Sequence, residues 1–271
     1  MRNFFLYVTK QLAMTSLPFF KYQGTGNDFT IIDNRESTFD FNHTALITRL
    51  CDRKFGVGSD GLILLNPHPT YDFEMVYFNA DATRASCGNG ARCAVHLAHH
   101  LGIVSGEAHF VMEGDEYQAY VEDDRIRISM VDVTDVQSFS EGHLLNTGTR
   151  HFVRVVEELS EYDVVGDGSK LRYDPRFQPV GANINFVELR EDGVHMRIYE
   201  KGVENETLSS GTGVTAVALT LAATHNYASP ITVHTRGGTL DVSFVRSGPT
   251  SFTQVYMAGP AEMVFQGTVF V

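Results

Sequence analysis

Two short runs in the 271-residue chain carry the residue types of a proton-transfer site: Cys87-Gly88-Asn89-Gly90 and Ser210-Gly211-Thr212-Gly213. Counted from the first residue of each, positions +4, +7, +8 and +11 are Ala91, Ala94, Val95 and Ala98 in one run and Val214, Val217, Ala218 and Leu221 in the other. That spacing predicts two helices with small apolar faces, so Cys87 and Ser210 would stand at equivalent helix N-termini. Unpaired N–H groups and the positive end of the helix dipole favour an anion there. They would lower a thiol pKa or hold a substrate carboxylate. Two such ends facing one carbon suit racemisation without a cofactor. One group removes the α-proton, and the other, already protonated, returns one to the opposite face. The N–H groups meanwhile stabilise charge developing on the carboxylate. Taken alone, Cys87 is equally a buried structural cysteine; the repeat shifts the balance towards chemistry.

The elements around these runs repeat as well. After the first helix the strand-like pieces are His109–Glu113, Tyr117–Glu122 and Arg125–Val131, with Asp123-Asp124 as a turn. After the second they are Ile231–Thr235, Thr239–Val245 and Thr253–Met257, with Gly237-Gly238 as a hairpin signal. Upstream, Asp28–Asp33 and Asn185–Leu189 also read as strands, each after a Gly/Asn-rich turn. The pattern predicts two α+β units joined near residues 132–140, with the site between them. Coincidence is the competing reading, because Gly-rich turns precede Ala-rich helices in many folds.

Composition narrows the partners. Apolar residues are 43%, charged residues 20% and the net charge is −12, which excludes a disordered or collagen-like chain. Basic residues are scattered, so a nucleic-acid partner is not expected. Three cysteines and no CxxC motif argue for a reducing, cytoplasmic setting, with neither a disulfide framework nor a metal site. His96 and His100 sit four apart on a predicted helix and could chelate, but no nearby carboxylate completes a set. Cys51 and Cys93 read as core. The longest mostly apolar stretch, Val214–Ala223, is about half a membrane span. Phe4–Val8 is too short for a signal segment. Residues 1–16 read as an extension, with Met14 as an alternative start.

Several segments in order resemble the diaminopimelate epimerase family. They are Phe20-Lys21-Tyr22-Gln23-Gly24-Thr25-Gly26-Asn27-Asp28-Phe29, Gly56-Val57-Gly58-Ser59-Asp60-Gly61 and Phe78-Asn79-Ala80-Asp81. They continue with Cys87-Gly88-Asn89-Gly90-Ala91-Arg92-Cys93, Tyr199-Glu200-Lys201-Gly202-Val203 and Glu206-Thr207-Leu208-Ser209-Ser210-Gly211-Thr212-Gly213. The resemblance runs from about Phe19 to the C-terminus. It implies an α+β fold of two pseudo-symmetric domains, each a curled, mostly antiparallel sheet around a central helix. Their expected bounds are 17–133 plus 262–271, and 134–261. It also implies conversion of LL-diaminopimelate to the meso isomer by two cysteines, without cofactor, in a homodimer.

Matched residue by residue, the first catalytic cysteine is Cys87 and the second falls on Ser210. A serine hydroxyl is too weak an acid to exchange protons readily near neutral pH, so the chain as it stands is expected to be impaired. An engineered Cys-to-Ser change is the favoured origin and natural divergence the other. Asn27, Asn79 and Asn183 match substrate-binding asparagines, and neutral amides suit a zwitterion because they donate and accept. Gly88, Asn89, Gly211 and Thr212 would offer backbone N–H groups to the α-carboxylate. Glu200 matches a family glutamate, and His151 is a further candidate. Lys201 falls where the family usually has Arg, and Thr149 where it has a substrate-binding Asn. Each has a plainer reading: turn-forming asparagines, a solvated Glu200–Lys201 pair, a satisfied histidine. Two other functions stay in view. One is a related racemase or hydroxyproline-type dehydratase, since eliminations need one base. The other is a non-catalytic amino-acid-binding protein.

Overall fold

A computed structural model describes residues 16–37, 39–40 and 42–271. The expected N-terminal extension lies outside these residues except for Ser16, which already opens the first strand. In the first half, β1 (Ser16–Gly24) and β2 (Asn27–Asp33) form a hairpin, and α1 (Thr44–Cys51) leads to β3 (Gly61–Asn66) and β4 (Phe73–Asn79). Then come α2 (Gly88–His100), β5 (Glu107–Met112), β6 (Asp115–Glu122) and β7 (Arg125–Ser129). The second half opens with β8 (Gln137–Phe139), β9 (Gly142–Asn146), β10 (Arg150–Val155), α3 (Val164–Arg172), β11 (Asn183–Arg190) and β12 (Gly193–Glu200). It continues with β13 (Asn205–Thr207), α4 (Gly211–His225), β14 (Ile231–Thr235), β15 (Gly238–Arg246) and β16 (Phe252–Pro260). β17 (Glu262–Phe270) returns to pair with β1.

Strand registers give one continuous order: β17-β1-β2-β3-β4-β5-β6-β7, then β16-β15-β14-β12-β11-β10-β9-β8. β13 pairs beside β12. The halves match strand for strand and meet at the antiparallel β7–β16 pair. Parallel pairs fall at equivalent places, β2–β3 and β4–β5 against β10–β11 and β12–β14. By this pairing β2 matches β10, and β11 matches β3. Asp28–Asp33 and Asn185–Leu189 are therefore not counterparts. The turn equivalent to Thr25-Gly26 is Thr147-Gly148, which precedes β10.

Each long helix is enclosed by the strands of its own half. α2 packs on β1–β4, β6, β7 and β17, and α4 on β9–β12 and β14–β16. The small residues foreseen on each face are what permit this closeness. Ala91, Ala94, Val95 and Ala98 lie wholly buried among Phe29, Ile31, Ile63, Phe73 and Phe110. Val214, Val217, Ala218 and Leu221 are buried against Val187, Ile198, Leu240, Val242 and Phe252. Larger residues on the α2 face would overpack the core at about 1–3 kcal/mol each.

Candidate active site

Cys87 and Ser210 are the N-caps of α2 and α4, with nearly the same backbone, φ −142° and ψ 107° against φ −141° and ψ 120°. Each side chain accepts the backbone N–H three residues on: Cys87 Sγ from Gly90 at 3.4 Å, Ser210 Oγ from Gly213 at 3.2 Å. The two helix starts share one thioether. A Cβ on Gly88 would lie 3.7 Å from the Met257 methyl; one on Gly211 would lie 2.9 Å from it and 3.8 Å from Asn89 Oδ1. Glycine at these positions thus leaves the first helical N–H groups of both ends open towards the same space.

Around Cys87 the contacts are specific. Asn27 Oδ1 lies 3.7 Å from the thiol and also accepts Asn89 Nδ2 at 3.3 Å. The Asn27 amide is fixed in that sense because its Nδ2 donates to Asp60 at 2.8 Å. Burial pushes the Cys87 thiol up to about 11, with Glu200 adding to the rise and the Gly90 N–H and Arg92 cation opposing it. This reverses the expected lowering: the helix end does pull the thiol down, but loss of water outweighs it. With Asn27 presenting an acceptor, the resting group is a thiol.

Ser210 belongs to a second network. His151 is wholly buried, and burial lowers its imidazole to about 3, so it is neutral. Asn185 Nδ2 donates to Phe152 O at 3.0 Å and faces His151 Nδ1 at 3.2 Å. That places the imidazole proton on Nε2, which lies 3.0 Å from both Thr149 Oγ1 and Thr212 Oγ1. Thr212 Oγ1 is in turn 3.3 Å from Ser210 Oγ. Asn183 Nδ2 donates to Thr149 Oγ1 at 3.2 Å, and its Oδ1 accepts the Lys201 backbone N–H at 2.8 Å.

The remaining foreseen residues are tied less closely to the two caps. Glu200 accepts Thr207 Oγ1 at 2.6 Å, and burial raises its carboxyl. Lys201 Nζ reaches the Val180 carbonyl at 3.3 Å rather than joining either network. Asn79 serves its own turn, donating to Thr83 Oγ1 at 3.0 Å and accepting Tyr77 O–H at 3.1 Å. His96 Nδ1 faces Tyr22 Oη at 3.1 Å. Cys51 and Cys93 are buried. Among the described residues no three His, Cys, Asp or Glu side chains gather as a metal set. No described helix is long and apolar enough to cross a membrane.

Residues not singled out from sequence complete the site. Thr25 Oγ1 in the β1–β2 turn stands 3.0 Å from Ser209 Oγ, tying the halves beside Ser210. Thr147 Oγ1 donates to Thr212 O at 2.9 Å. Arg92 bridges Asn89, Thr25 and β16. An arginine between Ala91 and Cys93 of the first predicted helix was the one available signal.

Two matched halves, each presenting a capped helix start beside Met257, define a class of fold. It is shared with a solved phenazine biosynthesis protein of the PhzF family from Bacillus anthracis (TM-score 0.75, 14% identity, 95% of this chain and 100% of that one). A hydroxyproline epimerase from Agrobacterium vitis has it too, at TM-score 0.61 and 14% identity over 94% of this chain and 93% of its own. Within that class, the family model for diaminopimelate epimerase matches residues 19–137 and 143–264. A diaminopimelate epimerase from Flavobacterium psychrophilum is 44% identical over 92% of this chain and 99% of its own. One from Chlorobaculum tepidum is 36% identical over 91% and 98%. The chain belongs to the diaminopimelate epimerase family, whose members are isomerases.

Proposed function

We propose that the protein interconverts LL- and meso-diaminopimelate without a cofactor, at an α-carbon held between the starts of α2 and α4. The observation that carries this is the pair of matched N-caps converging on Met257 and Asn89. In the two-base reaction one cap residue takes the α-proton and the C–H electron pair moves into the carboxylate. The helix N–H groups of Gly88, Asn89, Gly211 and Thr212 stabilise that charge. The other cap residue then delivers its own proton to the opposite face, so protons balance and the centre inverts. Cys87 is one carrier. Ser210 occupies the place of the other and cannot ionise usefully, so the chain as it stands is impaired. Asn27, Asn183, Thr149 and Glu200 are read as substrate-binding groups, with Asn79 and Lys201 at the periphery. His151 acts as a neutral donor to the Ser210 network.

The test is proton NMR in heavy water with LL-diaminopimelate, comparing the chain with its Ser210→Cys variant. Restoring a thiol general acid–base is expected to raise meso product formation by about 10²–10⁴-fold. A variant that keeps its fold and makes no meso product would overturn the assignment.

Three further readings accompany this one. The halves are taken as domains, 17–133 with 262–271 and 134–261, that close on substrate. A cytoplasmic, reducing location suits three free thiols, Cys51, Cys87 and Cys93. A homodimer through β17 is supported by that strand's exposed Val264, Phe265 and Phe270 and by its having, among the described residues, β1 as its one paired neighbour. Light scattering on a Phe265→Lys variant checks the dimer: a shift to monomer supports it, and a monomeric unmutated chain removes it.

A further inference from the structure

Arg92 is the largest wholly buried side chain among the described residues, and the reaction above gives it no role. Its acceptors are all neutral: Pro260 O at 3.2 Å, Asn89 Oδ1 at 3.1 Å, Met257 Sδ at 3.3 Å and Thr25 Oγ1 at 3.1 Å. The charges that reach it are Cys87, Cys93 and Arg125, none of them a carboxylate. Burial brings the guanidinium down only to about 10, so it stays a cation at neutral pH. An uncompensated buried charge costs several kcal/mol. A purely structural clamp with these neutral partners would not need one.

Where the charge leads is given by the hydrogen bonds. Arg92 Nη1 holds Asn89 Oδ1, which turns Asn89 Nδ2 onto Asn27 Oδ1, the atom that faces the Cys87 thiol. Arg92 also grips Thr25, the residue touching Ser209 next to the second cap. We infer that Arg92 is a positioning residue whose unpaired guanidinium supplies the counter-charge when Cys87 becomes a thiolate. This rests on reading Cys87 as a proton carrier. The other groups facing Cys87 are Glu200 from β12, Tyr77 from β4, Cys93 on α2 and, through Asn27, Asp60. When ionised, each of those is anionic and opposes the thiolate; Arg92 is the cation among them.

The test follows alkylation of Cys87 by iodoacetamide at a fixed, mildly alkaline pH below the midpoints of both Arg92 and Cys87, read by peptide mass spectrometry so that Cys51 and Cys93 are counted separately. Below its midpoint a thiol reacts in proportion to its thiolate fraction. Losing a neighbouring cation raises the midpoint by about one unit or more. Arg92→Gln should therefore slow Cys87 alkylation about tenfold, and Arg92→Lys should keep most of the original rate. A folded Arg92→Gln protein that reacts at the unmutated rate overturns the inference, and so does an Arg92→Lys protein as slow as the Gln variant. If Arg92→Gln does not fold, the unmutated chain decides. The Arg92 guanidinium carbon resonance should titrate at lower pH in Cys87→Ala, where no thiolate helps to hold its proton; a midpoint indifferent to Cys87 refutes the coupling. Alkylation needs no substrate. Absence of epimerisation in Ser210→Cys thus removes the reaction reading alone, and unchanged alkylation removes the Arg92 inference alone.

Discussion

Lowering the pH should destabilise the fold through His151 well before the carboxylates titrate. The imidazole is wholly buried, and its proton affinity falls from an ordinary 6.5 to about 3. For a histidine lowered in the native state, the unfolded chain binds a proton below about 6.5 while the folded one does not. Stability is thus whole above that pH and is lost as pH falls from 6.5 towards 3, at about 1.4 kcal/mol per unit. Between pH 6.5 and 4.5 the loss from this one group is roughly 2–3 kcal/mol. His96 and His143 are also lowered by burial and add to the slope. The assay is therefore a difference: urea unfolding of the chain and of His151→Gln at three pH values across the window. The Gln variant should lose most of the His151 share of the slope, whatever its own stability. Equal slopes would mean that His151 protonates in the folded state. Its assignment as a neutral Nε2–H donor to Thr212 would then be wrong.

Three other outcomes are expected. Thr212→Val removes the hydroxyl between His151 and position 210; in the Ser210→Cys background it should slow epimerisation about fivefold, the worth of one hydrogen bond of about 1 kcal/mol, in steady-state kinetics. Glu200→Gln removes an anion that raises Cys87, so Cys87 alkylation at fixed pH should become faster, opposite in sign to Arg92→Gln. Gly237→Ala would set a Cβ 1.9 Å from the Thr25 carbonyl of the other half, a backbone clash that should cost about 2 kcal/mol or more and lower the melting temperature.

Local chemistry made much of the fold legible. A thiol or hydroxyl followed by small residues and a +4, +7, +8, +11 apolar face is an N-cap and a buried helix whatever surrounds it. Strand-like pieces broken by the Asp123-Asp124 turn and the Gly237-Gly238 hairpin signal marked β5–β7 and β14–β16. α3 carried no such mark: Val164–Arg172 contains Gly166 and Gly168, and only Val164 and Gly168 are buried. The true counterpart of β2 was hidden because the turn before β10 uses Thr147-Gly148-Thr149 instead of a Gly/Asn cluster. The β7–β16 join, the Thr25–Ser209 link and the Arg92 bridge all depend on residues far apart in the chain, which no local pattern reveals.

The direction of the Cys87 shift shows what such distance effects do to chemistry. From sequence the helix end alone acts, and a thiolate follows. In the fold, burial withdraws water and Glu200 arrives from the other half, and both favour the thiol. Asn27, clamped by Asp60, turns its carbonyl and not its amide to the sulfur. In the proposed reaction a thiol held this way is ready to give its proton to the α-carbon, and the group at position 210 would take the α-proton in that half of the cycle. On that proposal Ser210 is too weak an acid for the role, even though its own surroundings suit an anion: Gly213 donates to its Oγ, and Thr212, supplied by the neutral His151, lies within reach of it. The second cap thus presents donors suited to a negative charge. A cysteine placed there would find its donors already in position.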